Sequence, residues 1–187
     1  SMILSGIMMG SLFSALVSLV KFTADTESQL PAITYWLMGS LSAASFASLR
    51  LGTPAILLSC VVLLLLRWKL NLLPLSDDEA RTFGTNIHRL RGLCIVCCAA
   101  MTASCVAMCG QVGWVGLLVP HVCRMIFGSS HARLLPAAIS FGAVFMMVVD
   151  TLARTISAAE IPVSILTAII GAPIFIAIVR KKGGWSL

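Results

Sequence analysis

Residues 110–136 read GQVGWVGLLVPHVCRMIFGSSHARLLP, and whether this stretch crosses a membrane decides the topology of the whole chain. It is mostly apolar, but Gly113, Gly116 and Pro120 interrupt it, and it also carries His121 and Arg124. A broken helix of this kind is tolerated at membrane depth only where it is buried among other helices or faces a cavity.

The composition is that of an integral membrane protein. Of the 187 residues, 59% are hydrophobic and 11% are charged, and the mean hydropathy is +1.02. A soluble domain has about 45–50% apolar and about 25% charged residues. The apolar residues fall in long blocks, and about 20 such residues in a helix cross the roughly 30 Å hydrocarbon core. We therefore predict a helical bundle in a bilayer.

Five apolar blocks are clear candidates for spans. They are residues 3–20, 53–66, 93–109, 134–156 and 161–179. Between the first two, Pro31 begins the short segment PAITYWLMGSLSAAS, which is predicted to be a helix too short to cross. Its Tyr35 and Trp36 are residue types that suit the membrane interface.

Basic residues set the expected orientation. Five lysines and arginines lie in residues 67–91, and three more lie at residues 180–182. The positive-inside tendency places both groups in the cytoplasm, so an even number of crossings must separate them. Three crossings are clear, and we predict that residues 112–127 supply the fourth. The prediction is one transmembrane domain over residues 1–187, all-α, with about six spans, one of them short and broken, and both ends cytoplasmic.

The remaining cations agree with this orientation. Of the 13 lysines and arginines, the three at predicted outer positions are Lys21, Arg50 and Arg154. The net charge of +6 is thus explained by topology, and no nucleic-acid partner is expected. The first apolar block begins at once without a basic leader, so a cleavable signal peptide is not expected.

Seven short motifs occur in order along the chain. They are LSGIMMGSLFSAL, YWLMGSLSAAS, DDEARTFG, GQVGWVGLLVPHVCR, GSSHARLLP, DTLAR and EIPVSILTAIIGAPIF. In these motifs the chain resembles the C-terminal part of the FecCD-type permeases of type II ABC importers, which carry iron-siderophores, haem and vitamin B12. The resemblance extends over essentially the whole chain. Members of that family have further N-terminal spans, which are expected to be absent here.

The resemblance implies a permease subunit that moves its cargo by alternating access. The implied partners are a second permease subunit in a homodimer, a cytoplasmic ABC ATPase, an extracytoplasmic substrate-binding protein and the lipid bilayer of a bacterial or archaeal cytoplasmic membrane. The chain has no G-x-x-x-x-G-K-[ST] phosphate loop, so ATP is expected to be used by the partner, with no cofactor bound directly. The alternatives are a truncated or split half-permease that only assembles with a partner or does not transport, and, more remotely, a membrane enzyme.

The resemblance also implies a coupling helix in the loop of residues 67–91. Its proposed contacts with the ATPase are Asp78, Glu79, Ala80, Arg81 and Gly84. Acidic residues favour the start of a helix and glycine favours its end. A solvated loop helix without a partner is the alternative reading of the same residues.

Three charged residues are expected near the outer side. Asp150 and Arg154 are four apart and can pair on one face of a helix. An unpaired charge at membrane depth costs at least about 2.5–3.5 kcal/mol, so a structural ion pair is one reading. The resemblance implies the other, in which Arg154 and Glu160 meet the binding protein. Glu160 also suits the positive end of the helix that follows it.

Two further groups of residues have mainly structural readings. Pro120, His121 and Arg124 are interpreted as a structural motif, in which His121 braces backbone freed by the proline and Arg124 anchors the inner end. Gly6, Gly10 and Ser14 allow close helix packing, and the resemblance implies that they line the pathway at the dimer interface. No metal site is predicted, because no three or four ligands converge. The C-x-x-C spacing of residues 94–97 is interpreted as apolar packing, not as a zinc or redox site.

Overall fold

Seven α-helices and one 3-10 turn are defined in the part of the chain that the structure describes. The structure is a computed structural model and describes residues 2–42, 44–75, 79, 82–156 and 160–181. The elements are α1 (Met2–Thr23), α2 (Gln29–Leu37), α3 (Phe46–Leu66), the 3-10 turn (Lys69–Leu72), α4 (Ile87–Cys109), α5 (Val115–Phe127), α6 (His131–Ile156) and α7 (Val163–Lys181). No strand occurs among these residues, and the predicted all-helical fold is confirmed.

Four of these helices, α1, α3, α4 and α6, are long and apolar enough to cross a membrane. The helix α5 has 13 residues, which is about 20 Å at 1.5 Å per residue. The apolar part of α7 also falls in the shorter class. The sequence predicted one short and broken span, whereas the described residues contain two short apolar helices. The orientation of the chain ends stays a prediction.

Several helices begin earlier than the apolar blocks indicated. The helix α3 starts at residue 46 instead of 53, because Ser45 caps it and exchanges hydrogen bonds with Ser48 in a capping box. The helix α4 starts at residue 87 instead of 93, because the side chain of Asn86 accepts a hydrogen bond from the backbone N–H of Arg89. Hydropathy locates lipid-facing residues, whereas caps determine where a helix begins.

The chain divides into two compact units, Ser1–Leu37 and Met38–Leu187. The first unit consists of α1 and α2. The apolar groove between these two helices is lined by Phe13, Leu16, Val17, Ile33 and Trp36, among others. None of the apolar span of α1 is buried. The single transmembrane domain over the whole chain stays a prediction.

In the second unit, α6 packs against both α5 and α7, and α3 packs against α4. The buried clusters are Val119, Cys123 and Leu134 on α5 and α6, and Val149, Ala153, Val163 and Leu166 on α6 and α7. Phe145 packs against both clusters. The interface between α3 and α4 is close at Gly52, where an added Cβ would lie 2.6 Å from the sulfur of Met108.

Candidate functional site

The predicted ion pair of Asp150 and Arg154 is present on α6, and its location at the outer side stays a prediction. The Nε of Arg154 donates a hydrogen bond to Oδ2 of Asp150 over 2.9 Å, as the spacing of four residues allows. The Arg154 side chain remains 45% exposed, and that of Asp150 is 25% exposed. The carboxylate therefore holds the guanidinium in place while leaving nearly half of it accessible to a partner.

Glu160 lies close enough to Arg154 for a favourable electrostatic interaction. Its φ of +46° is in the left-handed region, which is uncommon for a residue with a side chain. The chain after α6 lies close to the end of that helix here, since the backbone N–H of Ile161 donates a hydrogen bond to the carbonyl of Ala153 over 3.2 Å. Glu160 thus contributes a smaller favourable electrostatic interaction to Arg154 than Asp150 does.

A junction at residues 38–40 joins the ends of two helices. The N–H of Ser40 donates to the carbonyl of Cys109, the last residue of α4, over 2.9 Å. The N–H groups of Val163 and Ser164, in the first turn of α7, donate to the carbonyls of Gly39 and Met38 over 3.0 and 3.3 Å. The hydroxyl of Ser164 also donates to the Met38 carbonyl. These bonds satisfy groups that a helix end leaves unpaired.

Gly39 makes the junction possible. Its φ is +72°, it is buried, and an added Cβ would lie 2.4 Å from the backbone oxygen of Gln111. Sequence reasoning did not find the junction, because its acceptors are backbone carbonyls and leave no residue pattern. The Gly-Ser pair that follows α2 is the one signal that could have indicated a turn there.

The broken helix α5 begins after a left-handed residue, Trp114, whose φ is +66°. The carbonyl of Trp114 accepts the N–H of Leu118 over 2.9 Å and so starts the helix. Gly171 on α7 lies against this turn, where an added Cβ would be 3.0 Å from the Cβ of Trp114. The glycines and this turn keep residues 110–114 outside the helix, so α5 is shorter than the predicted span.

The motif of Pro120, His121 and Arg124 lies on α5, but the histidine does not act as we expected. A proline cannot donate to the carbonyl four residues earlier, and we expected His121 to brace the freed backbone. Instead its ring packs edge-on against Phe175 of α7, with the ring centroids 5.5 Å apart. Its Nε2 is buried without a hydrogen-bond partner among the residues that the structure describes. Arg124 is exposed in the last turn of α5.

The predicted coupling segment is described only in part. Asp78, Ala80 and Arg81 lie outside the described residues. Glu79 and Thr82 are helical, and the Thr82 hydroxyl donates to the Glu79 carbonyl. Gly84 has a φ of +68° in the turn that follows, which is the conformation of a glycine that ends a helix. Contact with an ATPase stays a prediction.

A second junction, also unforeseen, joins the 3-10 turn to α6. Oδ1 of Asn71 accepts the backbone N–H of His131 over 2.8 Å and lies 2.9 Å from the Nδ1 of the same histidine. One amide oxygen thus caps the first residue of α6 from a position 60 residues away. This junction connects the first residue of α6 to the 3-10 turn that follows α3.

The small residues Gly6, Gly10 and Ser14 of α1 have open space next to them. An added Cβ at Gly6 or Gly10 would meet nothing within 4 Å, and Ser14 is exposed. Helix packing or pathway lining by these three residues stays a prediction. Among the residues that the structure describes, no group of three or more His, Cys, Asp or Glu side chains could hold a metal ion.

The four long apolar helices indicate a multi-pass helical membrane protein. The chain belongs to the FecCD transport family, whose profile matches residues 1–181. It is 46% identical over 185 residues to the molybdate import system permease protein MolB of Haemophilus influenzae, covering 98% of this chain and 55% of that protein. It is also 37% identical to the hemin transport system permease protein HmuU of Yersinia pestis, covering 97% of this chain and 54% of that protein.

A solved structure has the same fold. It shows an inward-facing conformation of a transporter assigned to the metal-chelate type of ABC transporter, and it matches with a TM-score of 0.92 and 46% identity. The match covers 96% of this chain and 58% of that one. The chain therefore spans a little over half the length of these relatives.

Proposed function

We propose that this chain acts as, or forms part of, the permease subunit of an ABC importer. The single observation that carries the proposal is the match to a metal-chelate-type ABC transporter, with a TM-score of 0.92 over 96% of this chain. The chain would supply helices of the translocation path, and alternating access would be driven by ATP hydrolysis in a separate subunit. The proposed location is the cytoplasmic membrane, with both ends of this chain on the inner side.

The proposed cargo is a metal complex or a metal oxyanion. Relatives of this chain are named as permeases for molybdate, hemin and cobalamin. The common chemistry of these cargoes is a metal centre enclosed by ligands, and a substrate-binding protein would select among them before delivery. The range proposed here is wider than the chelates implied by the sequence motifs, because it includes a small oxyanion.

The proposed binding-protein contact is the outer group of Asp150, Arg154 and Glu160. Arg154 is held by one carboxylate, approached by a second and still 45% exposed. A carboxylate on the binding protein could share this guanidinium, since an arginine offers five donors. We expect Arg154→Gln to weaken binding-protein affinity about tenfold, which corresponds to about 1.4 kcal/mol. Arg50→Gln, which changes an exposed arginine on α3, is the matched control.

The proposed ATPase contact is the segment that contains Glu79 and Gly84. A second permease subunit would complete the assembly, as a homodimer. The test is copurification of the ATPase with the chain and any further permease subunit from the native membrane. We expect Glu79→Gln and Gly84→Ala to reduce ATPase retention without changing the amount of chain inserted.

Gly128→Ala is the control for the second variant, because Gly128 also has a positive φ, +80°, and open space around it. Equal ATPase retention by all variants would refute the coupling assignment. ATPase retention without ATP-dependent cargo uptake in proteoliposomes would support the alternative of an assembled but non-transporting subunit.

A further inference from the structure

Two apolar grooves flank the first half of α6. One, of about 680 Å³, lies between α6 and the end of α3, where Val61, Leu64 and Leu65 line it. The other, of about 580 Å³, is lined by Phe127 at the end of α5 and by further residues of α6. Pro136 and Ser140 line both grooves. Both volumes fall in the range of about 300–1,000 Å³ that is typical of ligand sites.

Each groove has an arginine at the same end of the bundle. Arg67 lines the first groove and Arg133 lines the second. The hydrogen bonds between Asn71 and His131 join the chain just after Arg67 to the chain just before Arg133, so both cations are held near one junction. Among the described residues, no carboxylate forms a salt bridge with either guanidinium. Trp68, 67% exposed, lies beside Arg67.

We propose that these two grooves and two arginines form a binding site for an anionic phospholipid. The phosphate would lie against Arg67 and Arg133, and one acyl chain would occupy each groove, on either side of Pro136 and Ser140. Basic pockets between transmembrane helices bind anionic headgroups, and tryptophan beside them is typical of the headgroup level.

A phospholipid explains these features better than a helix from another subunit or from a longer form of this chain. A helix would fill the apolar grooves but would bring no anion for the two guanidinium groups, unless it also carried a paired acidic residue. A phospholipid supplies the charge and two apolar chains in one molecule, and the two grooves share Pro136 and Ser140 while each has one of the two arginines in its lining. The site is independent of the proposed transport function, because it needs neither ATPase nor cargo.

The test is native mass spectrometry of the protein, with any subunits that copurify, from nanodiscs of phosphatidylglycerol and phosphatidylcholine. We expect wild type to retain phosphatidylglycerol preferentially. One cation near a membrane surface contributes about 1 kcal/mol, which is about fivefold in binding. Arg67→Gln and Arg133→Gln should each lower the preference about fivefold, and the double variant about 25-fold. Arg50→Gln is expected to leave the preference unchanged.

A second variant separates the groove from the charges. Ser140 is exposed, so Ser140→Phe can fill both grooves without entering the core, and we expect loss of retained lipid with both arginines intact. An unchanged preference in the double glutamine variant overturns the proposal. Displacement of the lipid by glycerol 3-phosphate alone overturns it in favour of a soluble phosphate. Loss of a copurifying subunit instead of lipid from the Ser140→Phe variant overturns it in favour of a protein occupant.

Discussion

Replacing Gly39 with alanine tests whether the junction at residues 38–40 holds the second unit together. The junction connects the last residue of α4 to the first turn of α7 through backbone hydrogen bonds of 2.9–3.3 Å. A methyl group at Gly39 would lie 2.4 Å from the Gln111 oxygen and 3.4 Å from the Cys109 oxygen. Both neighbours are backbone atoms, so no side-chain rotation can relieve the contact.

The size of the effect follows from two contributions. A left-handed φ costs a residue with a Cβ about 1–2 kcal/mol. A C···O contact is normally no shorter than about 3.3 Å, so the two segments must separate by about 0.9 Å. The 2.9 Å bond from Ser40 to Cys109 would then be lost, and an unsatisfied buried group costs about 1–3 kcal/mol. The expected destabilisation is about 2–5 kcal/mol.

Thermal unfolding followed with a thiol-reactive dye reports this loss, because Cys97 and Cys123 are buried and react on unfolding, whereas the exposed Cys98 and Cys105 react beforehand. For a chain of this size, each 1 kcal/mol lowers Tm by about 2–4 °C, so the expected decrease for Gly39→Ala is roughly 4–20 °C. Gly128→Ala is the matched control, because Gly128 has φ +80° but open space around it. The control should show the backbone contribution alone.

The comparison between the two alanine variants decides the question. If Gly39→Ala lowers Tm no more than Gly128→Ala does, the close approach of residue 39 to residue 111 does not contribute to the free energy of unfolding. The junction would then be a consequence of helix packing and not one of its causes. A larger decrease at Gly39 with unchanged membrane insertion would support the reasoning.

Two further predictions concern other parts of the chain. Gly171→Ala should destabilise the fold by about 1–3 kcal/mol through overpacking, because the added Cβ would lie 3.0 Å from the Cβ of Trp114. Gly142→Ala is the control and should be nearly neutral, because its added Cβ would have a 3.6 Å contact. Equal melting temperatures of the two variants would contradict this prediction. Hydrogen bonds from the side chain and backbone of Ser28 hold the pKa of Asp25 below its ordinary value of 3.8. The stability that these hydrogen bonds add to the turn is complete above pH 3.8 and is lost as the pH falls through the lowered pKa of Asp25. Protection of the residue 28 amide from hydrogen exchange should therefore decrease in this pH range in wild type but not in Asp25→Ala. Protection in wild type that does not change with pH would refute the prediction.

The helices could be predicted from the sequence because their apolar blocks are long. Each predicted span corresponds to a helix of the structure, and Tyr35 and Trp36 lie on the short helix α2. The starts of α3 and α4 were wrong by six or seven residues, since the early turns carry Arg50 and Arg89. Helical hydrogen bonding continues through charged residues, whereas charged residues lower the average hydropathy and so end the predicted apolar block.

The candidate sites were predictable only where side chains act on each other. The pair of Asp150 and Arg154 follows from a spacing of four residues on one helix. The junctions at Gly39 and Asn71 could not be found in this way, because they join residues that are far apart in the sequence and each uses at least one backbone group. The left-handed turn at Trp114 was also hidden, since nothing in a tryptophan indicates a positive φ. The coupling segment rests on motif resemblance, and three of its residues lie outside the described ranges.

The junction at residues 38–40 has a consequence for how the protein is made. Ser164 follows Met38 by 126 residues, and a ribosome adds about 5–20 residues per second. The time between synthesis of Met38 and synthesis of Ser164, whose N–H the Met38 carbonyl binds, is therefore about 6–25 s. Helices inserted earlier remain unjoined at this end until residue 164 has been synthesised. A chain that stops before residue 163 would leave the carbonyls of Met38 and Gly39 without the donors of α7.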